Sequence, residues 1–219
     1  DIPSDAYTTC VKLQSANSTI QSTMLDETGN VLNLLEIVGD GNYLYIMRSQ
    51  YGLLDRLGRP NMFSHAFILP CREIEFASDP NNYLTIAKEN FRDNEEAVSI
   101  TDDGLIMNAD FYLEDAIKEC QLSDQNFLTL IRCVYTQFSN KKSAKPLFIQ
   151  YDGTERNMMI ILFCIYSAIP LSMRRRLSVA SAFTSNTVDK NIIFSINAKD
   201  KDQYIVPNTG ENNILTSRM

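Results

Sequence analysis

The chain has one histidine, His65, and no closely spaced pair among its five cysteines, Cys10, Cys71, Cys120, Cys133 and Cys164. Structural zinc sites draw on clustered Cys and His ligands, so this composition argues against one. Each cysteine sits among apolar neighbours, and their number is odd. That pattern points to buried thiols in a reducing compartment rather than a disulfide framework. The P-loop pattern G-x-x-x-x-G-K-[ST] is missing, as are G-x-G-x-x-G, H-E-x-x-H and G-x-S-x-G. The sequence therefore offers no phosphate-cradling loop, zincin helix or nucleophile elbow, and no metal or cofactor is expected. The longest strictly apolar run, Met158–Tyr166, has nine residues, against the roughly 18 that a membrane span requires. No membrane partner is expected, no signal peptide is visible, and the expected location is cytoplasmic.

The 219 residues are 44% hydrophobic and 21% charged, a globular composition. The net charge is −7 and unevenly spread. Residues 73–119 hold thirteen acidic and three basic side chains, whereas residues 141–201 hold ten basic and four acidic. An acidic total speaks against nonspecific nucleic-acid binding. The division suits either two faces for different partners or two solvated surfaces that partly neutralise each other.

Along the chain, the loose alternation of Asp5–Gln14 predicts a strand. Leu32, Leu35 and Val38 fit a short helix or an extended run, and Gly39-Asp-Gly41 predicts a turn. Tyr43–Gln50 and Met62–Pro70, rich in aromatic and branched residues, predict two antiparallel strands. Gly52, Gly58 and Pro60 punctuate a long loop between them, which carries Asp55, Arg56 and Arg59. In the second strand His65 shares a face with Phe63 and Phe67. Tyr83, Ile86 and Ala87 suggest a helix over 82–91, before an acidic loop with a short strand at 97–100.

Phe111–Glu119 reads as a short helix with Leu113, Ile117 and Cys120 on one stripe. Ser123 is placed to cap a second helix, whose Phe127, Ile131, Val134 and Phe138 recur at helical spacing. Strand 146–151, helix 154–169 capped by Asp152 or Thr154, and strand 177–183 form a β-α-β unit with parallel strands. Ile161, Phe163 and Ile165 join the expected core, and a helix apolar nearly all round should be covered on most sides. Residues 191–196 and 203–206 predict two further strands.

The fold class expected is α+β: a mixed sheet with an antiparallel N-terminal part and a helix-covered β-α-β C-terminal part. We expect one compact domain over 1–219, β-rich over 1–78, helix-and-strand over 79–206, with a polar tail at 207–219. The missing initial Met and the abrupt Thr-Ser-Arg-Met end suggest a piece of a longer protein.

Catalytic chemistry would have to use His65 as its base. Cys71 lies about 20 Å away along a straight strand, beyond proton-transfer reach. The carboxylate pairs Glu95-Glu96, Asp102-Asp103 and Glu114-Asp115 fall in polar stretches and read as solvated surface. Arg56 and Arg59 can make forked bonds to a carboxylate or phosphate. Asp55, Arg56, Arg59 and His65 are thus a candidate binding surface, unless Asp55 pairs with an arginine and only shapes the loop. Arg174 and Arg175 could bind phosphate or solvate a helix end, where positive charge suits the dipole.

Two stretches carry a family resemblance: Leu54–Leu69 (LDRLGRPNMFSHAFIL) and Ile169–Thr184 (IPLSMRRRLSVASAFT). Together they resemble the N-terminal domain of bacterial GTPase-associated adaptor proteins. Gly58, Arg59, Phe63 and His65 match its first motif; Pro170, Arg174, Leu177, Ser178 and Thr184 match its second. Val179 stands where an aromatic is usual, and Thr184 falls late. The resemblance implies a non-enzymatic interaction module at the front of a longer protein. Its partner would be a GTPase, or another subunit of the same signalling or conflict system. The alternative is a small-molecule or nucleotide-binding domain, or a hydrolase, using the 52–65 loop and His65.

Overall fold

The computed structural model describes residues 4–18, 33–40, 42–54, 57, 60–70, 112–139, 145–181 and 190–214. Helix α1 spans Ser4–Ser18. Strands β1 (Asn33–Gly39), β2 (Tyr43–Leu54) and β3 (Pro60–Pro70) follow. Helices α2 (Leu113–Glu119) and α3 (Asp124–Ser139) lead to β4 (Leu147–Gln150), α4 (Glu155–Ala168) and the single turn α5 (Leu171–Arg174). Strands β5 (Val179–Ser181), β6 (Ile192–Ser195), β7 (Tyr204–Val206) and β8 (Glu211–Asn213), with a 3-10 turn at Ala198–Asp200 between β6 and β7, complete the described elements. The strands form one eight-stranded mixed sheet in the order β3-β2-β1-β5-β6-β4-β7-β8. Helices and a sheet with both strand senses make this an α+β fold.

The first expectation to fail is the N-terminal strand, because Ser4–Ser18 is helical. The alternation there is loose, since Thr9 interrupts the row of Tyr7 and Val11 and the facing row mixes Thr8, Cys10 and Lys12, so neither period has a continuous apolar face. Thr8 Oγ1 donates to the Ser4 carbonyl (2.7 Å) and Thr9 Oγ1 to that of Asp5 (3.1 Å). Such bonds to the preceding turn accommodate threonine in a helix. Ala6 is fully buried, and the helix lies against β2 and β3. Between its two options, the 32–38 run is extended, as β1.

The 43–70 hairpin is antiparallel as expected, with Ile46 opposite Phe67 and Arg48 opposite His65. Its arms are longer than the apolar runs suggest. Leu54 still pairs with Pro60, after a register shift between Tyr51 and Leu53. Pairing therefore takes in residues 51–54 and 60–61, which were expected to lie in the loop, and leaves five residues, 55–59, between the two strands. The backbone continued pairing where Gly52 and Pro60 had suggested loop, because a bulge absorbs an irregular residue without ending a ladder.

The β-α-β unit holds with one change. Strands β4 and β5 are parallel, but β6 lies between them and pairs in parallel with both. Both expected caps of α4 take part. Thr154 Oγ1 accepts from the Asn157 N–H (3.2 Å), and Asp152 Oδ1 accepts from the Thr154 N–H (2.8 Å). Ser123 Oγ likewise accepts from the Asn126 N–H (3.2 Å) at the start of α3.

The core lies on one face of the sheet. Phe67, Ile46, Ile37, Val179, Ile192 and Leu147 form a continuous cross-strand row there. Helix α4 presses onto this face, and all nine residues of Met158–Tyr166 are buried. Val134 of α3 is buried, whereas Phe127, Ile131 and Phe138 are half-buried against the cluster. The segments expected at 82–91 and 97–100 lie outside the described residues.

Candidate functional site

His65 lies on β3 directly across from Arg48 of β2. Directly opposed residues share a face, so a guanidinium-bearing and an imidazole-bearing residue stand side by side. That face is the one Phe67 uses to pack against the core. The His65 ring lies 4.9 Å from the Phe67 ring at 36°, and both residues are half-buried. Histidine among aromatics was expected. Arg48 as its neighbour was not, because register depends on a pairing that single-strand patterning does not reveal. Behind them, Ser49 and Ser64 share a hydrogen bond of 2.8 Å on the opposite face.

Asp55, Arg56 and Arg59, the other members of this candidate surface, lie outside the described residues. Among these, β3 pairs on one side only, with β2, and so forms one margin of the sheet.

The second arginine pair is placed differently. Arg174 Nε donates to the Ile169 carbonyl at 3.0 Å, tying α5 back to the end of α4. Arg175 is half-buried, and its Nε is enclosed without a hydrogen-bond acceptor. Its carbonyl packs on Gly39, where a Cβ would stand 2.0 Å from the oxygen. This backbone approach places α5 at the Gly39 end of β1, whereas the His65–Arg48 row meets β1 at Leu35. The two patches are thus separated by roughly 13 Å along the strands and about 10 Å across them. The fold does not bring them into one site.

The most deeply placed charges escaped the sequence reading. Lys190 Nζ lies 2.8 Å from Glu36 Oε1, with their side chains 8% and 3% exposed. Glu36 interrupts the apolar run Leu34–Val38, and Lys190 lies two residues before another, Ile192–Phe194. A charge inside such a run is the available signal, since it must find a partner when the strand is buried.

No helix among the described residues is long and apolar enough to cross a membrane. No family model, curated protein or solved structure matches the chain.

Proposed function

We propose that this chain is a non-enzymatic interaction module, working in the bacterial cytoplasm beside a partner GTPase in a signalling or conflict system. The observation that carries the interaction reading is β3. It is an eleven-residue strand at the margin of the sheet, paired on one side among the described residues. A long strand margin offers a row of backbone donors and acceptors to an incoming chain, and recognition by strand addition uses this feature. His65 and Arg48 lie side by side next to that margin, where they can read side chains of an added strand. The GTPase as partner rests on the motifs carried by Gly58, Arg59, Phe63 and His65, and by Pro170, Arg174, Leu177 and Ser178.

The test is a pull-down and calorimetric titration against the GTPase encoded beside this chain. It compares the native protein with the Arg56→Ala, Arg59→Ala double variant and with His65→Ala. The expected result is saturable binding, weakened about tenfold or more by the double change at unchanged melting temperature, the effect of losing one or more charge-assisted bonds. Absence of binding by the native chain would reject the GTPase as partner. Unchanged affinity in both variants at unchanged stability would reject the β3 surface.

A further inference from the structure

At the opposite side of the sheet, five strands from β3, a cavity of about 340 Å³ opens at the carboxyl ends of β4 and β7. These strands are parallel neighbours, and the carboxyl ends of parallel strands are where open α/β sheets form ligand crevices. Residues 150–152 leave β4 along one wall, and residues 206–208 leave β7 along another. The end of α2 and the first turns of α4 add further described lining residues.

The lining has a distinct chemistry. Gln121, Gln150, Asn157 and Asn208, four carboxamide-bearing residues, line the cavity. The side chains of Gln121, Gln150 and Asn208 have no hydrogen-bond partner among the described residues. Asn157 uses its Oδ1 to accept the Asp152 N–H (3.3 Å), which leaves its amide donors available. Asp152 commits Oδ1 to the Thr154 N–H and hydroxyl, leaving Oδ2. Burial and the neighbouring Asp152 carboxylate push the Tyr151 phenol up, so it remains a donor at neutral pH. Ile161, Val206 and Pro207 add apolar surface.

Charge narrows the class of ligand. Among the described residues, no lysine or arginine lines the cavity. Arg156, next in the chain to the lining residue Asn157, is forked onto Glu119, which also lines the cavity, with Nη2 at 2.8 Å from Oε2. An anionic ligand would meet Asp152 and an already neutralised arginine, so phosphate is disfavoured. Carboxamides pair two-pronged with the donor–acceptor edges of heterocyclic bases, apolar walls suit a flat ring, and a free carboxylate oxygen accepts from ligand hydroxyls. The volume lies at the lower end of the range for small-molecule sites, which a nucleoside would fill.

We propose that this cavity binds a neutral nucleoside, with the base edge on the carboxamides and a ribose hydroxyl on Asp152. This inference stands apart from the adaptor reading, since it concerns different strands and a different partner. The experiment is calorimetry and saturation-transfer NMR on the full chain with adenosine, guanosine, cytidine and uridine, each against its 5′-monophosphate, with glucose as control. At least one nucleoside should bind saturably and about tenfold or more tighter than its monophosphate. Gln150→Ala and Asn208→Ala should each weaken it by about tenfold, the loss of one or two hydrogen bonds, at unchanged melting temperature. The proposal is overturned if no nucleoside saturates at millimolar concentration. Monophosphate binding as tight as the nucleoside, or glucose binding equally well, would also overturn it. If either variant fails to fold, the comparison of nucleoside with monophosphate on the native chain still decides.

Discussion

Lys190 and Glu36 form a buried ion pair across the middle of the sheet, Nζ to Oε1 at 2.8 Å. Glu36 is on β1 and Lys190 lies just before β6, with β5 between these strands. The pair therefore links the antiparallel side of the sheet to its parallel side. Burying two charges is costly, and their attraction offsets that cost only while both are present.

Removing one partner should consequently do more harm than removing both. Glu36→Gln should destabilise the fold by ~3–5 kcal/mol, because the buried Lys190 charge loses its carboxylate, and Lys190→Met should destabilise it as well. The double variant Glu36→Leu, Lys190→Met should recover most of that loss. Urea melts of the three proteins measure the difference. Single variants within about 0.5 kcal/mol of the native protein, the usual scatter for surface changes, would mean that the pair is not buried in solution.

Gly39 faces the carbonyl of Arg175 so closely that a Cβ would stand 2.0 Å from the oxygen and 2.6 Å from the carbonyl carbon. Backbone cannot swing away as a side-chain tip can. Gly39→Ala should cost ~1–3 kcal/mol, the usual penalty for overpacking. Its crystal structure should show α5 displaced from β1. A neutral substitution would show that this contact is looser than the structure has it.

Tyr45 hydrogen-bonds Asp40 Oδ2 at 2.9 Å. Burial first, and then this bond, push its phenol from the ordinary 10.0 up to about 12. A raised acid favours its protonated form in the fold. Its contribution to stability is therefore fully present below about pH 10 and lost as pH rises through about 12. Native protein and Tyr45→Phe should differ less in melting temperature as pH climbs through that window. A constant difference would remove Tyr45 titration as the cause.

The thiols should all be reduced. Cys120, Cys133 and Cys164 are buried and Cys10 is half-buried; Cys71 lies outside the described residues. Burial raises Cys133 to about 11, and a hydrogen bond with Cys120, together with burial, raises Cys164 further. Native protein at pH 8 should release little colour with a disulfide reagent, because thiolate is the reactive form. Unfolding without reductant should release five equivalents, one for each cysteine in the chain. Three equivalents would reveal a disulfide.

The 43–70 hairpin and the buried helix α4 were legible because each has a local signature. One is two β-rich apolar runs with turn residues between them. The other is Met158–Tyr166, apolar on every side and bracketed by Thr154 and Pro170. The candidate surface was legible only in part. His65 and Phe67 could be placed on one face by alternation, but Arg48 could join them only through strand register. The loop length was misjudged because glycine and proline near a strand end mark a bulge as readily as a break. Arg174 and Arg175 read as a basic patch, yet their structural contacts reach Ile169 and Gly39, the latter far away in the chain.

Local chemistry by itself determined the elements whose apolar pattern has a clear period, and the capping of α3 by Ser123 and of α4 by Thr154 with Asp152. It also determined that β4 and β5 run parallel, since a helix between two strands carries the chain back to the same end. Tertiary structure alone decided that residues 4–18 are helical, because they lack a clear apolar period and Ala6 is buried against the rest of the fold. It alone inserted β6 between β4 and β5, paired Glu36 with Lys190, and gathered four carboxamide-bearing residues around one cavity. These outcomes depend on which strands become neighbours. Neighbours are chosen by covering apolar faces across the whole chain, and no window of adjacent residues contains that choice.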